Sequence, residues 1–173
     1  MAEPTNTPTA ERRSFAAAAI TVSDRCARGE RTDVSGPALA SALAADGYRI
    51  EAARVIPDGE DNVRHAIQVA MASGARLIIT TGGTGVSPRD RTPEGTRPLL
   101  TRELPGISEA LRREGARRTP MAALSRGLAG IADGPPDALV INLPGSVDAV
   151  RESLTVLLPL VPHILDQLDG GDH

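Results

Sequence analysis

Four short apolar runs alternate with stretches of helical character, and this alternation narrows the possible folds more than any other feature of the chain. The runs are 16–22 (AAAAITV), 48–56 (YRIEAARVI), 76–81 (RLIITT) and 138–143 (ALVINL). Each is short, carries β-branched residues and is bounded by Gly, Pro or Asp, which predicts strands. Helices are predicted between them. One spans 35–46, with Ser35 as N-cap, Pro37 in the first turn and Gly47 at its end; the next spans 61–74, with Asp61 as cap and Gly74 as stop. Segments 93–100 and 106–118 also read as helical. Stretch 121–132 fits one or two short edge strands or an irregular excursion, and we adopt the second. In 146–168, Val147, Val150, Leu154, Leu157, Val161, Ile164 and Leu168 recur near helical spacing, with a bend expected at Pro159 or Pro162. Strands alternating with helices across short connections predict right-handed crossovers and an α/β fold, three-layer α/β/α, with a mostly parallel central sheet.

The length of 173 residues suits one domain, expected over 15–170. The polar, proline-bearing stretch 1–14 has no apolar core and is expected to be a disordered tail. A formal net charge of −3 argues against a nucleic-acid or anionic-membrane surface. All 19 basic residues are arginine, so a phosphate-binding P-loop lysine, a Schiff base and a lysine general base are excluded. The lone Cys26 allows no intrachain disulfide, and the longest apolar stretch, 154–165, falls short of the roughly 20 residues that span a bilayer. A cytoplasmic protein is expected. Phe15 and Tyr48 are the only aromatic residues, so a flat heterocycle would be held by backbone and aliphatic groups.

In a parallel α/β sheet, ligands bind beyond the carboxyl ends of the strands. The four predicted strands run into SDRCARGERTDVSGP, PDGED, GGTGVSPRDRTPE and PGS, so these polar loops should converge on one rim. Gly82, Gly83 and Gly85 permit close approach of a ligand to the main chain, and successive N–H groups there suit an anion. A dinucleotide-binding Gly-x-Gly-x-x-Gly after the first strand is absent, which disfavours NAD. Asp58 and Asp90 each lie a few residues past a strand end. Two carboxylates with phosphate oxygens make a Mg²⁺ environment, although each residue read alone is equally a turn or surface aspartate. Ser146, after Pro144 and Gly145, should cap the last helix and leave N–H groups for an anion, as should Ser35 and Gly36 at the first helix. His65, His163 and His173 show no metal-ligand spacing, and Cys26 is read as incidental.

Taken together, TTGGTGVSPRDRTPE, VSDRCARGERTDVSGP, VIPDGEDNVR, LSRG and INLPGS strongly resemble the MoaB/Mog family of molybdopterin adenylyltransferases, in order, from about residue 16 to 168. The resemblance implies a molybdopterin-binding-domain-like fold and transfer of AMP from ATP to molybdopterin with Mg²⁺, releasing pyrophosphate. Carried onto matching positions, it implies catalytic and metal roles for Asp58 and Asp90, and nucleotide binding by Gly82, Gly83, Thr84 and Gly85. It implies molybdopterin or phosphate binding by Ser23, Asp24, Ser35, Gly36, Ser125, Pro144, Gly145 and Ser146. It further implies a homotrimer or homohexamer, with a downstream molybdenum insertase as a partner. The alternative is a non-catalytic molybdopterin-binding carrier; retention of both aspartates favours the enzyme. Arg91 departs from the family, which usually has valine there.

Overall fold

The computed structural model describes residues 15–171; the tail expected over 1–14 and His173 lie outside them. Within the described residues the strands are β1 (Ala16–Val22), β2 (Arg49–Ile56), β3 (Leu77–Thr81), β4 (Arg102–Glu103), β5 (Ala129–Ala132) and β6 (Ala138–Leu143). They form one sheet in the order β2-β1-β3-β6-β5-β4. β2, β1, β3 and β6 are parallel, whereas β5 pairs antiparallel with β6 and β4 pairs antiparallel with β5. Seven α-helices lie among the described residues: α1 (Asp24–Ala27), α2 (Ser35–Ala45), α3 (Glu60–Ala72), α4 (Thr92–Thr96), α5 (Pro105–Ala116), α6 (Val147–Leu157) and α7 (Val161–Leu168). None is long and apolar enough to cross a membrane.

The alternation of side chains along each strand divides the interior into two cores. Ala17, Ala19, Leu77, Ile79, Leu139 and Ile141 face one way and pack with Leu39 and Leu43 of α2, Val150 and Leu154 of α6, and Val161 and Leu165 of α7. Their immediate neighbours Ala18, Ile20, Ile78 and Val140 face the other way and pack with Val63, Ala66 and Ile67 of α3. Every residue of β1, β3 and β6 is buried, which is why these strands read as continuous apolar runs; β2 lies at an edge and is largely exposed. Three layers follow, as expected.

Several local expectations are corrected. Ser35 is not the cap of α2: the Asp33 carboxylate accepts from the Gly36 N–H at 3.0 Å and from the Ser35 hydroxyl at 3.3 Å. α3 is capped at Gly59, two residues before the expected Asp61, so Asp61 lies inside its first turn. The stretch read as irregular, 121–132, holds most of a 3₁₀ turn (Pro120–Leu124) and then β5, which is enclosed between β6 and β4. Ala-Gly-Ile-Ala has little intrinsic strand preference, and pairing on both sides overrides it. The expected bend in 146–168 is a break between α6 and α7, where Pro159 can neither donate a helical hydrogen bond nor admit the preceding turn's carbonyl.

Candidate ligand site at the carboxyl edge of the sheet

The loop after β3 is shaped by two consecutive glycines in the left-handed region, Gly82 at φ +101° and Gly83 at φ +64°. A Cβ on Gly82 would lie 2.3 Å from the Val22 carbonyl oxygen, and one on Gly83 would lie 2.3 Å from Thr92 Oγ1. Gly85 has no such φ; its smallness accommodates the Asp90 carboxylate, 2.8 Å from where a Cβ would stand. The turn is held from behind. Thr92 Oγ1 donates to Gly82 O at 2.9 Å and its N–H to Gly83 O at 3.1 Å, while Gly82 N–H donates to Leu143 O at 3.0 Å. The N–H groups of Gly83, Thr84 and Gly85 have no acceptor among the described residues, and all three residues line a cavity. Consecutive unpaired N–H groups of this kind attract an anion.

That cavity, of about 410 Å³, lies between this loop, α5, the 120–124 turn and the start of α6. Gly82, Gly83, Thr84, Gly85, Asp90, Ser125, Pro144, Gly145 and Ser146 line it. Its remaining wall includes Leu111, Met121, Ala122 and Leu124 and contains no aromatic ring. A smaller cavity of about 230 Å³ is lined by Ser23, Cys26, Arg31 and Ser35 and shares Gly145 and Ser146 with the first. Ser146 caps α6 by accepting from the Ala149 N–H at 3.2 Å. The first-turn N–H groups of an eleven-residue helix thus begin where the two cavities meet. Ser23 caps the short α1 through the Cys26 N–H. Gly36 lines neither cavity, and its N–H is already taken by Asp33, so α2 offers the protein's own carboxylate where an external anion was expected.

Asp24 and Asp58 also line neither cavity and are locked to each other: Asp24 N–H donates to Asp58 Oδ2 at 2.9 Å, and Asp58 N–H donates to Asp24 Oδ1 at 3.1 Å. Asp24 Oδ2 lies 3.7 Å from Arg89 Nη1, which joins this pair to the loop that carries Asp90. Asp90 itself accepts from the Ser87 N–H at 2.9 Å. The loops after β1, β2, β3 and β6 therefore meet at one edge, as the parallel arrangement predicts. No group of three or more His, Cys, Asp and Glu suited to a metal exists among the described residues. His65 and His163 lie exposed on α3 and α7.

Four residues escaped the sequence reading. Arg126 donates Nε to Gly85 O and Nη2 to Asp90 O, both at 2.7 Å, and pairs with Glu94. That hydrogen bond holds the Glu94 carboxyl below the usual carboxylate range against the opposing effect of burial. Asn142, almost wholly buried, donates to Thr80 Oγ1 and Thr96 Oγ1 at 3.0 Å and accepts from the Leu128 N–H. Arg112 donates to the Ser125 carbonyl at 3.3 Å and lines the larger cavity. Asp33 sits three residues before the N–H it caps, a local spacing that could have been read; the contacts of the other three span more than ten residues each and leave no local signal.

Comparison with known proteins gives one consistent result. A family model described as "Probable molybdopterin binding domain" matches residues 18–163. The molybdenum cofactor biosynthesis bifunctional protein of Synechococcus elongatus is 43% identical over 166 residues, covering 96% of this chain and 51% of that protein. The chain thus spans about half the length of that relative. The molybdopterin adenylyltransferase of Pyrococcus furiosus is 39% identical over 155 residues, covering 88% of this chain and 90% of that protein. Among solved structures, the molybdopterin biosynthesis enzyme MoaB from a Thermus species superimposes with a TM-score of 0.81 at 46% identity, covering 90% of this chain and 97% of that one.

Proposed function

The chain belongs to the molybdopterin-binding-domain family, and on that premise we propose that it is a Mg²⁺-dependent molybdopterin adenylyltransferase acting in molybdenum cofactor biosynthesis. One observation carries the reading: two cavities meet at Gly145 and Ser146, and the larger has the unpaired N–H groups of 83–85 and the Asp90 carboxylate on its wall. Two anions must come together in this reaction. A phosphate oxygen of molybdopterin attacks the α-phosphorus of ATP, an O–P bond forms, the bond to the β-phosphate bridging oxygen breaks, and pyrophosphate leaves with that electron pair. Such a transfer depends on positioning and on fixed dipoles more than on covalent help from the protein. The N–H groups of Gly83, Thr84 and Gly85 would hold nucleotide oxygens. The α6 N-terminus, with Ser146 and Ser125, would hold the pterin's phosphate, and Ser23 and Ser35 would extend the polar wall into the smaller cavity.

A metal cage made wholly of protein is absent among the described residues, which suits Mg²⁺ bound through one or two carboxylates with substrate phosphates and water completing its shell. Asp90, on the cavity wall, fits that donor set directly. Asp58 lines neither cavity and its Oδ2 accepts from the Asp24 N–H, so its place in the donor set rests on the family resemblance alone, and the junction of Asp24 with Arg89 ties it to the loop that carries Asp90. When bound, the ion would supply positive charge to the phosphates of ATP in a chain that has no lysine to do so. We place the protein in the cytoplasm as a homotrimer or homohexamer, with a molybdenum insertase downstream.

The test is pyrophosphate release on mixing the protein with molybdopterin, ATP and Mg²⁺. The wild type should release it, and Asp90→Asn should lower the rate about 100-fold or more while molybdopterin binding by calorimetry stays within about threefold. Molybdopterin binding without pyrophosphate release by the wild type would replace the enzyme with the carrier reading. Near-normal turnover by Asp90→Asn would remove Asp90 from its role.

A further inference from the structure

The excursion between Gly85 and Asp90 leaves the body of the protein and returns to it beside the larger cavity. Its two ends are joined by a single side chain. Arg126 Nε holds Gly85 O and Nη2 holds Asp90 O, each at 2.7 Å, while its backbone N–H donates to Thr84 O at 2.8 Å. Glu94, from α4, binds the same guanidinium and fixes its plane. Within the excursion, Asp90 N–H donates to Ser87 O and Ser87 N–H returns to Asp90 Oδ2, both at 2.9 Å, so the orientation of the carboxylate depends on the shape of this turn. The strap carrying Arg126 is itself anchored two residues on, where Leu128 N–H donates to Asn142 Oδ1 and Asn142 N–H donates to Leu128 O.

We propose that Arg126 is a positioning residue for the transfer: by clamping both ends of the 85–90 excursion it holds the Asp90 carboxylate and the 83–85 N–H groups in fixed relation to the cavity. Its consequence for rate rests on the adenylyl-transfer reading; its consequence for loop order does not. The task needs a guanidinium. Three acceptors are met by donors in one rigid plane, whereas the ammonium of lysine is a single flexible point charge that cannot hold both carbonyls and the carboxylate at once. An arginine whose donors are spent on two backbone carbonyls and a carboxylate acts on the site's shape more than on an incoming phosphate.

The experiment compares wild type, Arg126→Lys and Glu94→Gln by hydrogen–deuterium exchange, thermal unfolding and steady-state kinetics with ATP, molybdopterin and Mg²⁺. In Arg126→Lys, exchange at the Ser87 and Asp90 amides should rise about tenfold while the sheet stays protected, and Glu94→Gln should give a smaller rise at the same amides. kcat should fall about 10- to 100-fold in Arg126→Lys, with KM for molybdopterin changed less than about threefold. Should Arg126→Lys fail to fold, Glu94→Gln carries the same comparison. Unchanged exchange at these amides, or faster exchange with unchanged kcat, would overturn the proposal. So would a uniform rise in exchange through the sheet, with kcat and both KM values moving together, since that marks a residue of general stability. If the wild type releases no pyrophosphate, the transfer reading fails, while the exchange result still decides whether Arg126 holds the excursion.

Discussion

A methyl group added at Gly82 would meet two separate penalties. Its φ of +101° is one that L side chains rarely adopt, and its new Cβ would stand 2.3 Å from Val22 O, a main-chain atom that cannot swing away. Gly74, at φ +87° with nothing within 4 Å of its Cβ position, meets only the first. Conformational strain costs about 1–2 kcal/mol and forced displacement of packed backbone about 1–3 kcal/mol more. Gly82→Ala should therefore lose about 2–5 kcal/mol of stability and Gly74→Ala about 1–2 kcal/mol, read as midpoint shifts in urea unfolding. Equal losses would show that the contact with Val22 relaxes. The glycine pattern at 82–85 and the Ser146 cap were legible because they depend on residue type and short spacing. The part played by Gly85 was not: its requirement comes from the Asp90 carboxylate folding back over it.

At the scale of elements, the site rests on a joint between β3, β6, α4 and the strap before β5. Asn142, 2% exposed, makes that joint by donating to Thr80 and Thr96 and accepting from the Leu128 N–H. Asn142→Ala would leave buried polar groups on three elements without their partner. At about 1–3 kcal/mol for a buried group left unsatisfied, and with partial relaxation, the expected loss is about 2–4 kcal/mol by urea unfolding. Truncating the exposed Arg28–Glu30 pair should cost less, because either partner left alone can turn to solvent. The long buried strands and amphipathic helices were legible from their periodicity. β4 and β5 were not, being two and four residues long and lacking β-branched residues apart from Ile131. Sheet pairing alone makes them strands.

Across the whole molecule, the two cores share one wall. Ala17 and Ala19 belong to the core under α2, α6 and α7, and Ala18 and Ile20 to the core under α3, so neither helical layer can come away without exposing one face of the same sheet. Residues 15–170 should therefore unfold as one unit, with coincident circular dichroism and calorimetric transitions; two separated transitions would show that the layers are independent. The amino-acid sequence by itself determined the parallel α/β framework, because burial on both faces demands continuous apolar strands and helices with one apolar stripe. It also determined that the polar loops gather at one edge, since parallel strands all end on the same side. Only the tertiary structure decided how those loops are joined: Asp33 in place of Ser35 at α2, Asp24 locked to Asp58, Asn142 at the strand joint, and Arg126 across the excursion that carries Asp90. These are hydrogen bonds between groups distant in the chain or sharing acceptors in three dimensions. Local spacing records which residues can donate and accept, and only the packed fold selects which of them meet.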